Sequence, residues 1–229
     1  MIMKRKDFLK RGAMGLGTVL AVPVIASSCG GDDAPSENPS CPSTPSEIKG
    51  PFPNRTPADV VRANIIGNRT GIPLQINLTI QDASNDCQPM AAAIVDLWHC
   101  DAHGNYSEYN DQLDGDFTSE NFLRGRQTAD GSGQVSFISI YPGWYPGRAP
   151  HLHVEVFNPT GTSLLVTQIA FDEAVSNTVY ATNQYNGNFD TSNASDDSFG
   201  DSLQANLPDS LTGNPTDGYV YSKTITVFG

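Results

Sequence analysis

The chain has 229 residues, 38% of them hydrophobic and 9% aromatic, so it is long enough to bury one sizeable core. Its formal net charge at pH 7 is −12, and only one of the 25 acidic residues but five of the 13 basic residues precede Cys29. The part after Cys29 is therefore even more acidic than the whole chain. It repels phosphate backbones, which excludes nucleic acid as a partner.

The first 29 residues have the organisation of an export signal. Residues 4–11 are basic, and residues 12–28 form an apolar, small-residue stretch that ends at Cys29 and is too short and glycine-rich to span a membrane convincingly. Residues 5–10 resemble a twin-arginine signal with lysine in place of the second arginine, and residues 26–29 resemble a lipoprotein cleavage box. We expect an exported protein of the cell envelope, periplasm or cell surface that contacts a membrane only through a lipid anchor on Cys29.

Residues 30–46 contain mostly Gly, Asp, Pro and Ser and almost no apolar residues, which predicts a flexible linker before a folded domain at residues 47–229. Three cysteines follow Cys29, and an oxidising compartment favours one disulfide and one free thiol among them. Cys87 and Cys100 bracket a predicted strand that rises about 3.3 Å per residue, so a direct bridge between them is awkward. We expect the disulfide to join Cys41 to Cys100.

From residue 50 onward the sequence has the two-residue period of β-strands. Residues 74–81 alternate between apolar and polar, and residues 91–98 are more continuously apolar, as in a central strand. Residues 219–228 predict a last strand. Six or seven short strands separated by turn signals predict an all-β fold, namely an antiparallel β-sandwich with long surface loops.

Two pairs of strands are predicted to form hairpins. Residues 122–128 and 134–140 flank an Asp/Gly/Ser-rich connection, and residues 151–157 and 164–171 flank the turn Asn-Pro-Thr-Gly. The long acidic stretch of residues 172–217 is expected to wrap over the sandwich surface, and its pattern assigns it no chemistry.

His151 and His153 stand two residues apart in a predicted strand, so both imidazoles point to one face and can bind one metal ion. Glu155 shares that face, which raises the alternative of an Fe(II) centre with two histidines and one carboxylate. A cupin would place its glutamate where this chain has Phe157. We therefore interpret Glu155 as a supporting or structural residue.

Two segments resemble those of the intradiol ring-cleavage dioxygenases, the family of catechol and protocatechuate dioxygenases. Trp98-His99, followed by Gly104-Asn105-Tyr106, is similar to the family segment that supplies one tyrosinate. Residues 142–145 (Pro-Gly-Trp-Tyr) and 148–153 (Arg-Ala-Pro-His-Leu-His) are similar to those that supply a second tyrosinate, an arginine and two histidines. The interval between the second tyrosine and the histidines is short, and the dimerisation helices of catechol enzymes have no counterpart. Substrate identity and oligomeric state therefore stay open.

The resemblance implies a mononuclear Fe(III) site with the ligands Tyr106, Tyr145, His151 and His153. Phenolates are hard anionic ligands, so two of them with two neutral imidazoles favour Fe(III) over Fe(II). By the family pattern, a small aromatic diol binds the iron, Tyr145 takes a proton from it, and reaction with O2 gives a muconate-type diacid. Arg148 is expected to stabilise negative charge during the reaction, supported by Gln168.

Other readings of these residues remain open. A β-sandwich could hold zinc or copper at His151 and His153 without dioxygenase activity, or bind glycans or peptides without any enzymatic role. His99 and His103 could be accessory ligands, although a role in their own loop is commoner for such residues.

Overall fold

The computed structural model describes residues 41–229, so the predicted export signal and residues 30–40 of the predicted linker lie outside this part of the chain. None of the helices in residues 41–229 has the length and apolar character needed to cross a bilayer. The strands are β1 (Pro73–Asp82), β2 (Gln88–Pro89), β3 (Ile94–Trp98), β4 (Arg124–Thr128), β5 (Gln134–Ile140), β6 (His151–Phe157), β7 (Ser163–Ala170), β8 (Ser210–Asn214) and β9 (Gly218–Val227). The helices are α1 (Glu173–Tyr180) and α2 (Leu203–Asn206), with 3-10 turns at Pro57–Val60, Ala83–Asn85 and Asn193–Ser195.

The strands form two sheets, as the predicted all-β sandwich requires. The five-stranded sheet has the order β2-β1-β9-β8, with β5 paired to β1, and the four-stranded sheet has the order β4-β3-β6-β7. All pairs are antiparallel except β1 and β9, which run parallel. The fold class is therefore confirmed, with one sheet mixed rather than purely antiparallel.

The core lies between the sheets and follows the two-residue period of the strands. Leu74, Ile76 and Leu78 of β1 pack in one cluster with Leu152 and Val154 of β6, all at most 1% exposed. Burying each such side chain contributes about 1.5–3 kcal/mol. Because alternate residues of β6 point into the core, the other residues of that strand must face outward from the sandwich.

The first predicted hairpin is wrong: β4 pairs with β3 in the four-stranded sheet, whereas β5 pairs with β1 in the other. The connection arches across the core, because Ala129 donates its backbone N–H to Ala93 O while the carbonyl of Gly133 accepts from Ile80. Turn composition marks where the chain reverses but not which strands pair. The second predicted hairpin, β6 with β7, is confirmed.

Residues 172–217 contain helices and buried side chains, so they do more than lie over the sandwich surface. Asp172 caps α1 by accepting hydrogen bonds from the N–H groups of Ala174 and Val175, a strong helix-starting interaction. Phe199 is fully buried against Ala149 and Ala170, next to the start of β6.

The expected Cys41–Cys100 disulfide is wrong, because Cys41 is bonded to Cys87. Thr44 donates its N–H to Thr226 O, so the chain from Cys41 runs along the edge of β9 towards the turn that contains Cys87. Cys100 is a free thiol buried in a cluster with Trp98 and Tyr106, out of reach of this edge.

We predict that replacing both Cys41 and Cys87 with serine lowers the free energy of unfolding by roughly 2–4 kcal/mol, because the bond closes a loop across a sequence separation of 46. Denaturant unfolding with and without a reductant measures this. The reductant should destabilise the parent protein and leave the double variant unchanged. Equal sensitivity of both proteins to the reductant would contradict the assigned pairing.

Candidate metal centre

The two histidines lie at the start of β6, an internal strand, on the outer face of the four-stranded sheet. Between them Leu152 points into the core, so His151 and His153 share the opposite face, as their spacing predicts. Their Nε2 atoms lie 3.1 Å apart. The pair can therefore present two nitrogen lone pairs to one point.

Neighbouring groups fix both imidazole rings. Nδ1 of His151 donates to Ala149 O at 2.6 Å, which leaves its Nε2 unprotonated when the ring is neutral. The ring of His153 stacks on Trp98, its partner in β3, with centroids 5.0 Å apart and planes 2° apart. Gly50 lies against His153: a Cβ there would be 2.9 Å from Cε1 of the ring, and the φ of +69° also favours glycine. Both orientations are thus set before a metal binds.

Both imidazoles are neutral at pH 7. Burial, together with the nearby positive charge of Arg148, lowers the pKa of His151 to about 3. Burial also holds the pKa of His153 well below its ordinary value, with smaller contributions from His151 and Arg148. Neutral imidazole is the form that binds metals.

Two tyrosines complete the group of donor atoms. The hydroxyl of Tyr106 lies 3.5 Å from Nε2 of His151, and its ring is fully buried. The ring of Tyr145, which is partly exposed, lies 5.7 Å from the rings of both Tyr106 and His151. Burial raises the pKa of each phenol, while Arg148 lowers it less strongly, so a bound cation would be needed to ionise them.

The guanidinium of Arg148 contacts Tyr145 and Gln168 beside this group of donor atoms. Nη1 donates to the hydroxyl of Tyr145 at 3.2 Å, and Nη2 donates to Oε1 of Gln168 at 2.5 Å. Gln168 is held in turn because its Nε2 donates to Ile48 O at 2.8 Å. The predicted contact between Arg148 and Gln168 is therefore present.

Two important residues escaped the sequence interpretation. Asp196 accepts a hydrogen bond from Nε of Arg148 at 2.9 Å, although it lies in the stretch to which no chemistry was assigned. Arg124 is buried and bonds to both Oγ and O of Ser107 and to Phe52 O, which ties the Tyr106 loop to the segment around Phe52 that precedes β1. An arginine directly after two large apolar residues (Phe122-Leu123-Arg124) was the available signal for the second, whereas no sequence pattern pointed to Asp196.

The other candidate ligands point elsewhere. His99 bonds through Nδ1 to Cys100 O and through Nε2 to Oγ of Ser139, and His103 pairs with Asp114. Glu155 pairs with Lys49. Within residues 41–229 no three His, Cys, Asp or Glu side chains are grouped so that they could hold a metal ion. The two-histidine, one-carboxylate alternative thus lacks its third ligand, and the donors near the histidine pair are the two phenols.

This donor set fits ferric iron. Two neutral nitrogens and two oxygens that ionise on binding offer hard, anionic ligands to a trivalent cation. The nitrogens are pre-oriented and, with one phenol, buried, so binding requires little rearrangement of the histidines.

We predict that His99→Gln leaves the iron content at pH 7 unchanged, because His99 is a structural residue. Burial lowers the pKa of His99 from 6.5 to about 4, so between these values the unfolded chain binds a proton that the folded chain does not. The parent should therefore lose about 2 kcal/mol more stability than the variant between pH 7 and pH 5. Urea unfolding of the metal-free proteins measures this, and loss of iron in His99→Gln would instead make His99 a ligand.

Comparison with known proteins points to one family. Residues 48–199 match the model of a protein family described as Dioxygenase. The chain is 32% identical over 116 residues to the beta chain of protocatechuate 3,4-dioxygenase from Burkholderia cepacia, covering 47% of this chain and 49% of that protein. It is 28% identical over 156 residues to chlorocatechol 1,2-dioxygenase from Rhodococcus opacus, covering 56% of each. The chain therefore spans about half the length of these curated relatives.

A solved structure covers more of the fold. The intradiol ring-cleavage dioxygenase from Tetranychus urticae superimposes with a TM-score of 0.71 at 27% identity, covering 82% of this chain and 95% of that one. The matched range, residues 48–199, spans the positions of both tyrosines, both histidines, Arg148 and Gln168. This chain belongs to the intradiol ring-cleavage dioxygenase family.

Proposed function

We propose that this protein is a ferric-iron-dependent dioxygenase that cleaves a catechol-type ring between its two hydroxylated carbons. Both atoms of O2 enter the product, a muconate-type diacid. The observation that carries the proposal is the grouping of two tyrosine rings with two neutral imidazoles at the outer face of the four-stranded sheet, where the Tyr106 hydroxyl lies 3.5 Å from Nε2 of His151.

Tyr106, Tyr145, His151 and His153 would hold the iron. The chemistry that ferric iron supplies when bound is withdrawal of electron density from a chelated catecholate, which makes the ring reactive towards O2. The chain itself provides the pre-oriented nitrogens, a buried environment and a nearby positive charge. Burial strengthens each electrostatic interaction because the surrounding dielectric is low.

Tyr145 is suited to accept a proton from an incoming catechol. It is the more exposed of the two tyrosines, and Nη1 of Arg148 donates a hydrogen bond to its oxygen. That bond stabilises the phenolate before proton transfer. Tyr106 is fully buried and has no comparable access to substrate, so it is the better permanent ligand.

Arg148 is placed to stabilise negative charge on the reacting ring. Three of its nitrogens are bound to Tyr145, Gln168 and Asp196, so its position is fixed before substrate arrives. Pre-organised charge of this kind costs no reorganisation during the reaction.

We predict a broad visible absorption band in the iron-loaded protein, from tyrosinate-to-iron charge transfer, that shifts when catechol is added. Tyr106→Phe and Tyr145→Phe should each weaken or abolish the band and lower the ring-cleavage rate on the order of 100-fold or more. Tyr219→Phe is the matched control, because Tyr219 packs in the core against Tyr141. Absorption, metal analysis and O2 uptake measure these changes.

Other outcomes would sink the proposal. A protein that lacks the tyrosinate-to-iron band and binds zinc or copper equally well with both tyrosines replaced would indicate the alternative metal site. A protein that takes up no iron even after ferric reconstitution, and consumes no O2 with catechol, would favour a non-enzymatic binding module.

We also propose that the mature protein is exported and attached to a membrane by lipid on Cys29. Support comes from the basic, apolar and small-residue order of residues 1–29, which lie outside the described part of the chain. Cys29→Ala should move the protein from the membrane fraction to the soluble fraction, as measured by immunoblotting of fractionated cells. Equal membrane recovery of parent and variant would contradict the anchor.

A further inference from the structure

The strongest unassigned feature is the carboxylate of Asp196. Its Oδ2 accepts two hydrogen bonds, from Nε of Arg148 at 2.9 Å and from the N–H of Ala149 at 2.7 Å. Its Oδ1 accepts a third from the N–H of Ser198 at 2.9 Å. The side chain is 0% exposed. A buried carboxylate with three donors is held in one orientation, and truncating it would leave a largely buried guanidinium without its charge partner.

We propose that Asp196 is a positioning residue that aims Arg148 at the reacting ring. The inference rests on the proposed dioxygenase function and deepens it. It assigns a role at the metal centre to the 172–217 stretch.

The guanidinium geometry supports this role. An arginine side chain offers donors in a rigid planar fork, so two fixed contacts define its plane. Asp196 holds the Nε edge and Gln168 holds Nη2. The remaining group, Nη1, is thereby directed at the hydroxyl of Tyr145.

The same carboxylate also braces the first histidine. The peptide N–H of Ala149 donates to Asp196, while the carbonyl of Ala149 accepts from Nδ1 of His151. Phe199, three residues after Asp196, packs 6.4 Å from the ring of His151. Asp196 therefore bonds directly to Arg148 and to Ala149, and Ala149 in turn bonds to His151 at the start of β6.

The carboxylate is ionised in this setting. Burial alone would raise the pKa of Asp196, but the bonds from Arg148, Ala149 and Ser198 outweigh burial and hold the pKa below its ordinary value. A neutral amide of the same shape would lose the charge, and with one acceptor oxygen instead of two it could no longer accept from Arg148 and Ala149 on one side and from Ser198 on the other.

The test compares Asp196→Asn with Asp197→Asn in the iron-loaded protein. The control removes the same charge from the next residue, which is exposed. We expect Asp196→Asn to retain iron and a KM for catechol within about twofold, and to lower kcat about 10-fold, less than the 10²–10³-fold typical when a direct donor to the transition state is removed. The visible band of its resting state should also change, because Arg148 bonds to Tyr145. Asp197→Asn should match the parent in all these respects.

A double-mutant cycle separates positioning from general structure. If Asp196 acts through Arg148, then Arg148→Ala and the Arg148→Ala/Asp196→Asn double variant should have the same kcat. Full additivity of the two losses would overturn the proposal, as would an unchanged kcat and band in Asp196→Asn.

If Asp196→Asn fails to fold or to bind iron, Asp196→Glu decides, since it keeps the charge but displaces the carboxylate. A lowered kcat with iron retained supports positioning, and a parental kcat overturns it.

The same measurements distinguish the two proposals. A parent protein without the charge-transfer band and without ring cleavage overturns the proposed function and this inference together. A parent that cleaves catechol while Asp196→Asn equals Asp197→Asn overturns only the role of Asp196.

Discussion

One face of strand β6 packs in the core and the other face carries the two histidines of the candidate metal centre. The position of that centre depends on this division. Leu152, Val154 and Val156 are buried in the main cluster and cannot be exchanged for polar residues without a cavity or an unsatisfied group. His151 and His153 are thereby fixed on the outer face of the sheet. A shift of one residue in the pairing with β3 would turn both imidazoles into the core.

Side chains on the outer face of a sheet are normally exposed to water, yet both histidines are at most 3% exposed. Segments distant in sequence cover them. Gly50 lies against His153, Phe52 packs 4.8 Å from the ring of Tyr106, and Phe199 packs beside His151. Arg124 joins the segment around Phe52 to the Tyr106 loop through hydrogen bonds to Phe52 O and Ser107 O. The centre is thus an outer sheet face enclosed by chain from both ends of the domain, which explains why its histidines stay neutral.

The sequence predicted what depends on local period and on motif. The two-residue alternation of β1 and β6, the β6–β7 hairpin and the grouping of Tyr106, Tyr145, His151 and His153 follow from residues close together in the chain or from a family pattern. The β4–β5 arch, the Cys41–Cys87 bond and the contact of Asp196 with Arg148 depend on how distant segments pack. For Cys41 the deciding interaction is the bond between Thr44 and Thr226, which no local pattern encodes.

The pairing of Asp196 with Arg148 also resolves an electrostatic conflict in the centre. In the proposed ferric centre, a trivalent cation and a fixed guanidinium near the same tyrosine would repel each other, and in a buried setting this repulsion would be weakly screened. Removing the arginine would relieve the repulsion but leave negative charge on a reacting ring without stabilisation. The carboxylate of Asp196 binds Nε of the guanidinium and offsets its charge, while Nη1 donates to Tyr145. The acidic 172–217 segment therefore supplies a counter-charge to Arg148 at Nε, without taking the bond that Nη1 makes to Tyr145.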